Sequence, residues 1–128
     1  MVVLMRNMQP TVALLFIAGA AVAASFVATS VVARQSAQVV DITVERFSFT
    51  PSEFRVKAGQ PVEIRLQSED TDHGFRIVGT DVNVIVPKRG RGTATVTFEP
   101  PQPGRYVFEC SKLCGAGHSF MRGAIVAE

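Results

Sequence analysis

Cys110-Ser-Lys-Leu-Cys114-Gly-Ala-Gly-His118-Ser-Phe-Met121 brings two thiols, an imidazole and a thioether into twelve residues, spaced C-x3-C-x3-H-x2-M. The chain has no other cysteine, and its second histidine, His73, stands upstream in Thr71-Asp-His-Gly-Phe75. Soft sulfur donors with imidazole suit copper, and a His/Cys/Met set is the chemistry of copper electron-transfer sites. A blue mononuclear site uses one thiolate. Two thiolates four residues apart argue for a pair of coppers bridged by both sulfurs. Two blander readings stay open at this point. Nearby cysteines of an exported domain commonly form a disulfide, and two cysteines with two histidines make a tetrahedral zinc set. A disulfide has no need of His118 or Met121, and zinc would leave Met121 idle.

On either side of this stretch the chain alternates as strands do. Tyr106, Phe108 and Cys110 share one parity, and another strand restarts near Gly123, so four of the donors fall on one loop between two strands. Gly115 and Gly117 let that loop turn sharply without a side-chain penalty. Further upstream, Val62, Ile64 and Leu66 alternate with Glu63, Arg65 and Gln67, the pattern of a half-buried strand in an antiparallel sheet. His73, Phe75 and Ile77 share a parity, so His73 is expected to reach the loop from a separate strand. Val40, Ile42 and Val44 keep one phase, and Phe47 and Phe49 follow after a one-residue shift that reads as a bulge or bend. Pro51-Ser52, Ala58-Gly-Gln-Pro61, Pro87-Lys-Arg-Gly90 and Pro100-Pro-Gln-Pro-Gly104 punctuate the runs. Short strands with turn signals at regular intervals imply an all-β sandwich.

From about Val40 to Glu128 the chain resembles the copper domain of cytochrome c oxidase subunit II. The resemblance rests on the loop with its two cysteines, on Gly74-Phe-Arg-Ile77 after the first histidine, and on Pro103-Gly-Arg-Tyr106 before the first cysteine. It implies a cupredoxin-like Greek-key β-sandwich carrying a dinuclear copper (CuA) centre. The short form with one hydrophobic segment is most similar to subunit II of the B-type heme–copper oxidases. Matched residue by residue, the family's ligands fall on His73, Cys110, Cys114, His118 and Met121, with the backbone carbonyl of Lys112 at the remaining position. Many family members carry glutamate where Lys112 stands, associated with a magnesium site at the junction with the catalytic subunit. A charged lysine cannot ligate magnesium, so the resemblance supplies no magnesium ligand at this position and leaves that second site open. The family often uses an aromatic cluster for electron uptake. This chain has no tryptophan, leaving phenylalanines and Tyr106 to substitute.

Residues 11–33 carry no charge and match the length of a membrane-spanning helix. A secretory signal cleaved after Ala21-Val-Ala23 is the competing reading, but the apolar stretch continues past that site through Phe26, Val27, Val31 and Val32. Either reading exports the remainder. The expected organisation is therefore a membrane anchor (or signal) and linker over residues 1–36 and a copper domain over 37–128, held at the periplasmic or extracellular side of the cell membrane by a single pass. A net charge of +2 gives no ground for a nucleic-acid partner. Glu69, Asp70 and Asp72 read as a solvated acidic turn or as a face for a basic cytochrome, and Lys88-Arg-Gly-Arg91 as a solvated turn or a docking patch. Nothing in the sequence looks like a general acid–base pair, a nucleophile or a covalent heme motif, so no catalytic residue is assigned. The resemblance implies a non-catalytic subunit that takes electrons from a c-type cytochrome or cupredoxin and passes them to a heme–copper oxidase catalytic subunit. A copper carrier or metallochaperone is the binding-class alternative, and a copper domain serving a nitric oxide reductase is another.

Overall fold

The computed structural model describes residues 36–128. Nine strands form two sheets. β1 (Gln38–Glu45), β2 (Ser48–Thr50), β4 (Val62–Ser68) and β7 (Ala94–Phe98) make the first, in the order β2-β1-β4-β7. β3 (Glu53–Val56), β5 (His73–Ile77), β6 (Asn83–Val86), β8 (Gly104–Glu109) and β9 (Arg122–Ala127) make the second, in the order β3-β9-β8-β5-β6. The all-β expectation holds for the described residues, where one short 3₁₀ turn, His118–Phe120, is the sole helical element. The expected membrane segment lies outside the described residues, among which no helix is long and apolar enough to cross a membrane.

Alternation decides which side of each strand is buried. In β4, Val62, Ile64 and Leu66 are buried while Arg65 and Gln67 stay exposed, which is the arrangement a two-layer sandwich demands. β4 is not, however, a strand of a purely antiparallel sheet. It pairs parallel with β1, from Gln38↔Val62 to Val44↔Ser68, and antiparallel with β7. β3 and β9 are also parallel. A strand's own sequence reports which face is buried but not the direction of its neighbours.

Phe49, Phe75 and Phe108 form the middle of the core, with ring centroids 5.1–5.9 Å apart. All three are essentially sealed from solvent, and each such burial is worth about 1.5–3 kcal/mol. The cluster draws one ring from the first sheet and two from the second, so it fixes the sheets against each other beneath the ends of β5 and β8. Tyr106 caps the far part of β8. Its ring packs on Phe98, and its hydroxyl donates to the Gln102 carbonyl at 2.8 Å.

Candidate metal centre

β8 delivers Cys110 directly after Glu109, and β9 begins one residue past Met121. The Cys110 N–H donates to the Met121 carbonyl at 3.0 Å, which closes the neck of the loop. Within it, the His118 N–H donates to the Gly115 carbonyl at 3.2 Å and starts the 3₁₀ turn that carries His118. His73 opens β5, whose pairing with β8 (Arg76↔Glu109, Ile77↔Phe108) brings its first residue beside the loop. Gly74 is required here by close approach. A Cβ on it would stand 2.6 Å from the Lys112 backbone nitrogen and run into Ser111.

All six residues expected at the site meet. The Cys110 and Cys114 sulfurs are 3.7 Å apart, and both cysteines are free. His73 Nδ1 lies 3.9 Å from Cys110 Sγ, and the Cys110 thiol donates to the Lys112 carbonyl at 3.1 Å. On the other side, His118 Nδ1 and Met121 Sδ each lie 3.8 Å from Cys114 Sγ. The donor atoms of His73, Cys110 and Cys114 fall within 4.8 Å of one another, a grouping able to hold a metal ion. Cys110, Cys114, His73 and Met121 are buried, and His118 is half-buried. A metal–thiolate bond of about 2.3 Å is long enough for one ion to touch both sulfurs at this separation. Soft sulfur with imidazole and thioether matches copper, and the burial keeps water from competing for the ion.

Asp70 fixes the histidine. Its Oδ1 lies 2.6 Å from His73 Nε2, and its Oδ2 accepts from the Arg46 N–H at 2.9 Å. Burial alone would raise its pKa, but the bonds from His73 and from the Arg46 and Thr71 backbone outweigh it and bring the carboxyl down to about 2. An ionised carboxylate only accepts, so His73 carries its proton on Nε2 and turns the Nδ1 lone pair towards the sulfurs. Burial also pushes the Cys114 thiol up to about 11, helped by its hydrogen bond with Cys110. The metal-free site therefore holds this thiol protonated, and a bound cation would take the proton's place.

The sequence reading missed three contributors. Asp70 is partly buried rather than fully solvated and turns its carboxylate onto His73 and the Arg46 N–H; a carboxylate three residues before a candidate histidine ligand was the available signal. Arg46 donates from Nε to the Cys114 carbonyl at 2.8 Å. Phe47 lies over Gly115 and Gly117, where added Cβ atoms would strike its ring. Another member of the acidic turn, Asp72, accepts from the Lys88 N–H at 2.7 Å. A cleft of about 260 Å³ opens beside the loop and is lined by Arg76, Glu109, Cys110, His118, Met121 and Arg122 among others. Arg76 and Arg122 share Glu109 as their partner, so the cleft keeps an excess positive charge.

Comparison with known proteins agrees with this geometry. A family model described as the cupredoxin-like domain matches residues 14–127. The chain is 35% identical over 82 residues to cytochrome c oxidase subunit 2 of Thermus thermophilus, covering 64% of this chain and 59% of that protein. It is also 36% identical over 93 residues to the nitrous-oxide reductase of Ralstonia nicotianae, covering 70% of this chain and 14% of the reductase. The fold superposes on a chain of a heme-copper terminal oxidase dimer with a TM-score of 0.64 at 25% identity, over 75% of this chain and 68% of the other. The chain thus spans under two thirds of the curated subunit it matches.

Proposed function

Because this chain belongs to the cupredoxin-like domain family, we propose that it is an electron-transfer subunit II of a heme–copper terminal oxidase, with its two cysteines bridging a dinuclear copper centre. One observation carries the reading: two free thiols 3.7 Å apart, each with its own imidazole Nδ1 within 4 Å. A mononuclear site has no use for that duplication. His73, Cys110, Lys112 (through its carbonyl), Cys114, His118 and Met121 are the proposed ligands. When bound, the copper pair would supply a one-electron couple with its charge shared over both ions. The protein's part is to keep the donors still. The two sheets hold the loop by its ends, Asp70 sets the His73 tautomer, and the burial of both sulfurs excludes water.

The surroundings of the loop fit a docking role. Phe47, Leu113 and Phe120 are exposed, the last two at 79% and 82%, and apolar side chains held at a surface serve for association. Leu113 and Phe120 belong to the ligand loop itself, and Phe47 packs against it. A c-type cytochrome or cupredoxin is the proposed donor, and the catalytic subunit the proposed acceptor. Residues 11–33 would anchor residues 37–128 at the outer face of the cell membrane. The nitrous-oxide reductase relative favours a second reading, in which the same domain feeds a nitrogen-oxide reductase.

Metal content tests the core of the proposal. The full chain, loaded with copper, should hold two ions and give a paramagnetic resonance signal from one electron shared by two nuclei. Cys110→Ser and Cys114→Ser should each abolish that signal. A single copper with the spectrum of a one-thiolate blue site would overturn the dinuclear assignment.

A further inference from the structure

The turn between β1 and β2 consists of Arg46 and Phe47 and belongs to the sheet that carries none of the proposed ligands. We propose that Arg46 is a positioning residue of the metal centre, tying the Cys114 side of the donor set to the His73 side. Its side chain holds one: Nε donates to the Cys114 carbonyl at 2.8 Å. Its backbone holds the other: the N–H donates to Asp70 Oδ2 at 2.9 Å, and Asp70 Oδ1 bonds His73 Nε2 at 2.6 Å. Phe47 completes the clamp. Its ring fills the space that side chains at Gly115 and Gly117 would need, so the loop rests flat against the turn.

Apart from this clamp the two halves meet through the sulfurs, His73 Nδ1 lying 3.9 Å from Cys110 Sγ and Cys110 Sγ 3.7 Å from Cys114 Sγ. His73 is fixed by β5, whereas Cys114 sits five residues beyond the end of β8 and is followed by Gly115-Ala-Gly117. A loop in that position keeps its geometry only if something outside it holds the backbone. Arg46 also places a guanidinium against the backbone of a proposed ligand, its Nε 2.8 Å from the Cys114 carbonyl. A fixed cation disfavours the oxidised, more positive state of a bound metal, so it raises the reduction potential.

The inference rests on the copper assignment above, and the experiment separates the two. The full chain is loaded with copper as wild type, Arg46→Gln and Arg46→Lys. Midpoint potential, copper hyperfine pattern and the rate of copper loss to a chelator are then read for each. Arg46 is exposed at the surface, so both variants should fold, with thermal unfolding as the check. Arg46→Gln should lower the potential, alter the hyperfine pattern and release copper about tenfold faster, the loss expected for one charge-assisted hydrogen bond. Arg46→Lys should restore the potential, because the charge remains, and only partly restore retention, because the Nε–H donor is gone. A wild-type chain that binds no copper would overturn the copper assignment and this role with it. A normal wild-type centre with both variants unchanged in all three readouts would overturn the role of Arg46 alone. So would equal damage to the potential in both variants, since that would reduce the residue to packing.

Discussion

Asp70 decides which nitrogen of His73 faces the sulfurs, and that places the first pH dependence of the protein at a single carboxyl. Its pKa falls from 3.8 to about 2 on folding. A depressed carboxyl stabilises the fold above its unfolded value, and that contribution is lost as the pH falls through the folded one. Metal-free protein should therefore lose thermal stability between about pH 4 and pH 2, and Asp70→Asn should flatten that limb of the stability curve. An unchanged acid limb in the variant would remove Asp70 from this account. Cys114 acts at the other extreme. Its thiol rises from 9.0 to about 11, so its stabilisation is complete below about pH 9 and disappears as the pH rises towards 11. Cys114→Ser should abolish that alkaline limb in metal-free protein, as followed by unfolding between pH 8 and 11. The side-chain donors proposed for the site were legible in the sequence because their chemistry is written in residue type and spacing, whereas the Lys112 carbonyl followed only from the family resemblance. The inward turn of Asp70 was not, since a run of acidic residues states charge without direction.

Elements explain why the loop has glycine where it does, and why the turn opposite it matters. The phase shift between Val44 and Phe49 is a hairpin turn rather than a bulge: β1 ends at Glu45, and β2 returns antiparallel with Val44↔Phe49. Sequence alternation located the shift but could not tell a turn from a bulge, because both change parity by one residue. That turn carries Arg46 and Phe47 to the ligand loop, a contact 68 residues apart in the chain for Arg46 and Cys114, and local patterning has no view of such a pairing. The strand faces were legible in β4 and β7, where alternation and burial agree, but not at the start of β5, where Gly74 is buried along with His73 and Phe75. Gly117→Ala should press a methyl group into the face of Phe47 and cost about 1–3 kcal/mol, the usual scale of overpacking. Copper occupancy should fall with it, because the loop must lift off the turn. Phe47→Ala in the same background should recover occupancy by making room. Phe108→Ala tests the scaffold instead and should cost about 3–5 kcal/mol in chemical unfolding, since it opens the middle of the aromatic cluster.

At the scale of the whole molecule the question is what the protein docks against and where it sits. The uncharged run over residues 11–33 should keep the full chain in the membrane fraction through salt and alkaline carbonate washes. A soluble mature form beginning near Ala24 would instead show a cleaved signal. The final prediction concerns electron exchange. The copper-loaded chain should exchange electrons with a reduced c-type cytochrome and should not reduce oxygen at a sustained rate. Six donors converge on the site, from both histidines, both thiols, Met121 and the Lys112 carbonyl, and a catalytic metal needs an open position that such a set does not leave. The surface chemistry fixes the salt dependence. Leu113 and Phe120 on the ligand loop are exposed and apolar, and Arg76 and Arg122 share Glu109 while Arg89 pairs with Glu69. With a net charge of only +2, long-range steering is weak, so the exchange rate should change little between low and physiological ionic strength. Leu113→Asp should slow exchange more than any salt addition does, by placing a charge in the middle of an apolar contact. A rate that collapses with added salt but ignores Leu113→Asp would move the docking face to a charged surface elsewhere, and oxygen uptake persisting with catalase present would end the assignment as a carrier.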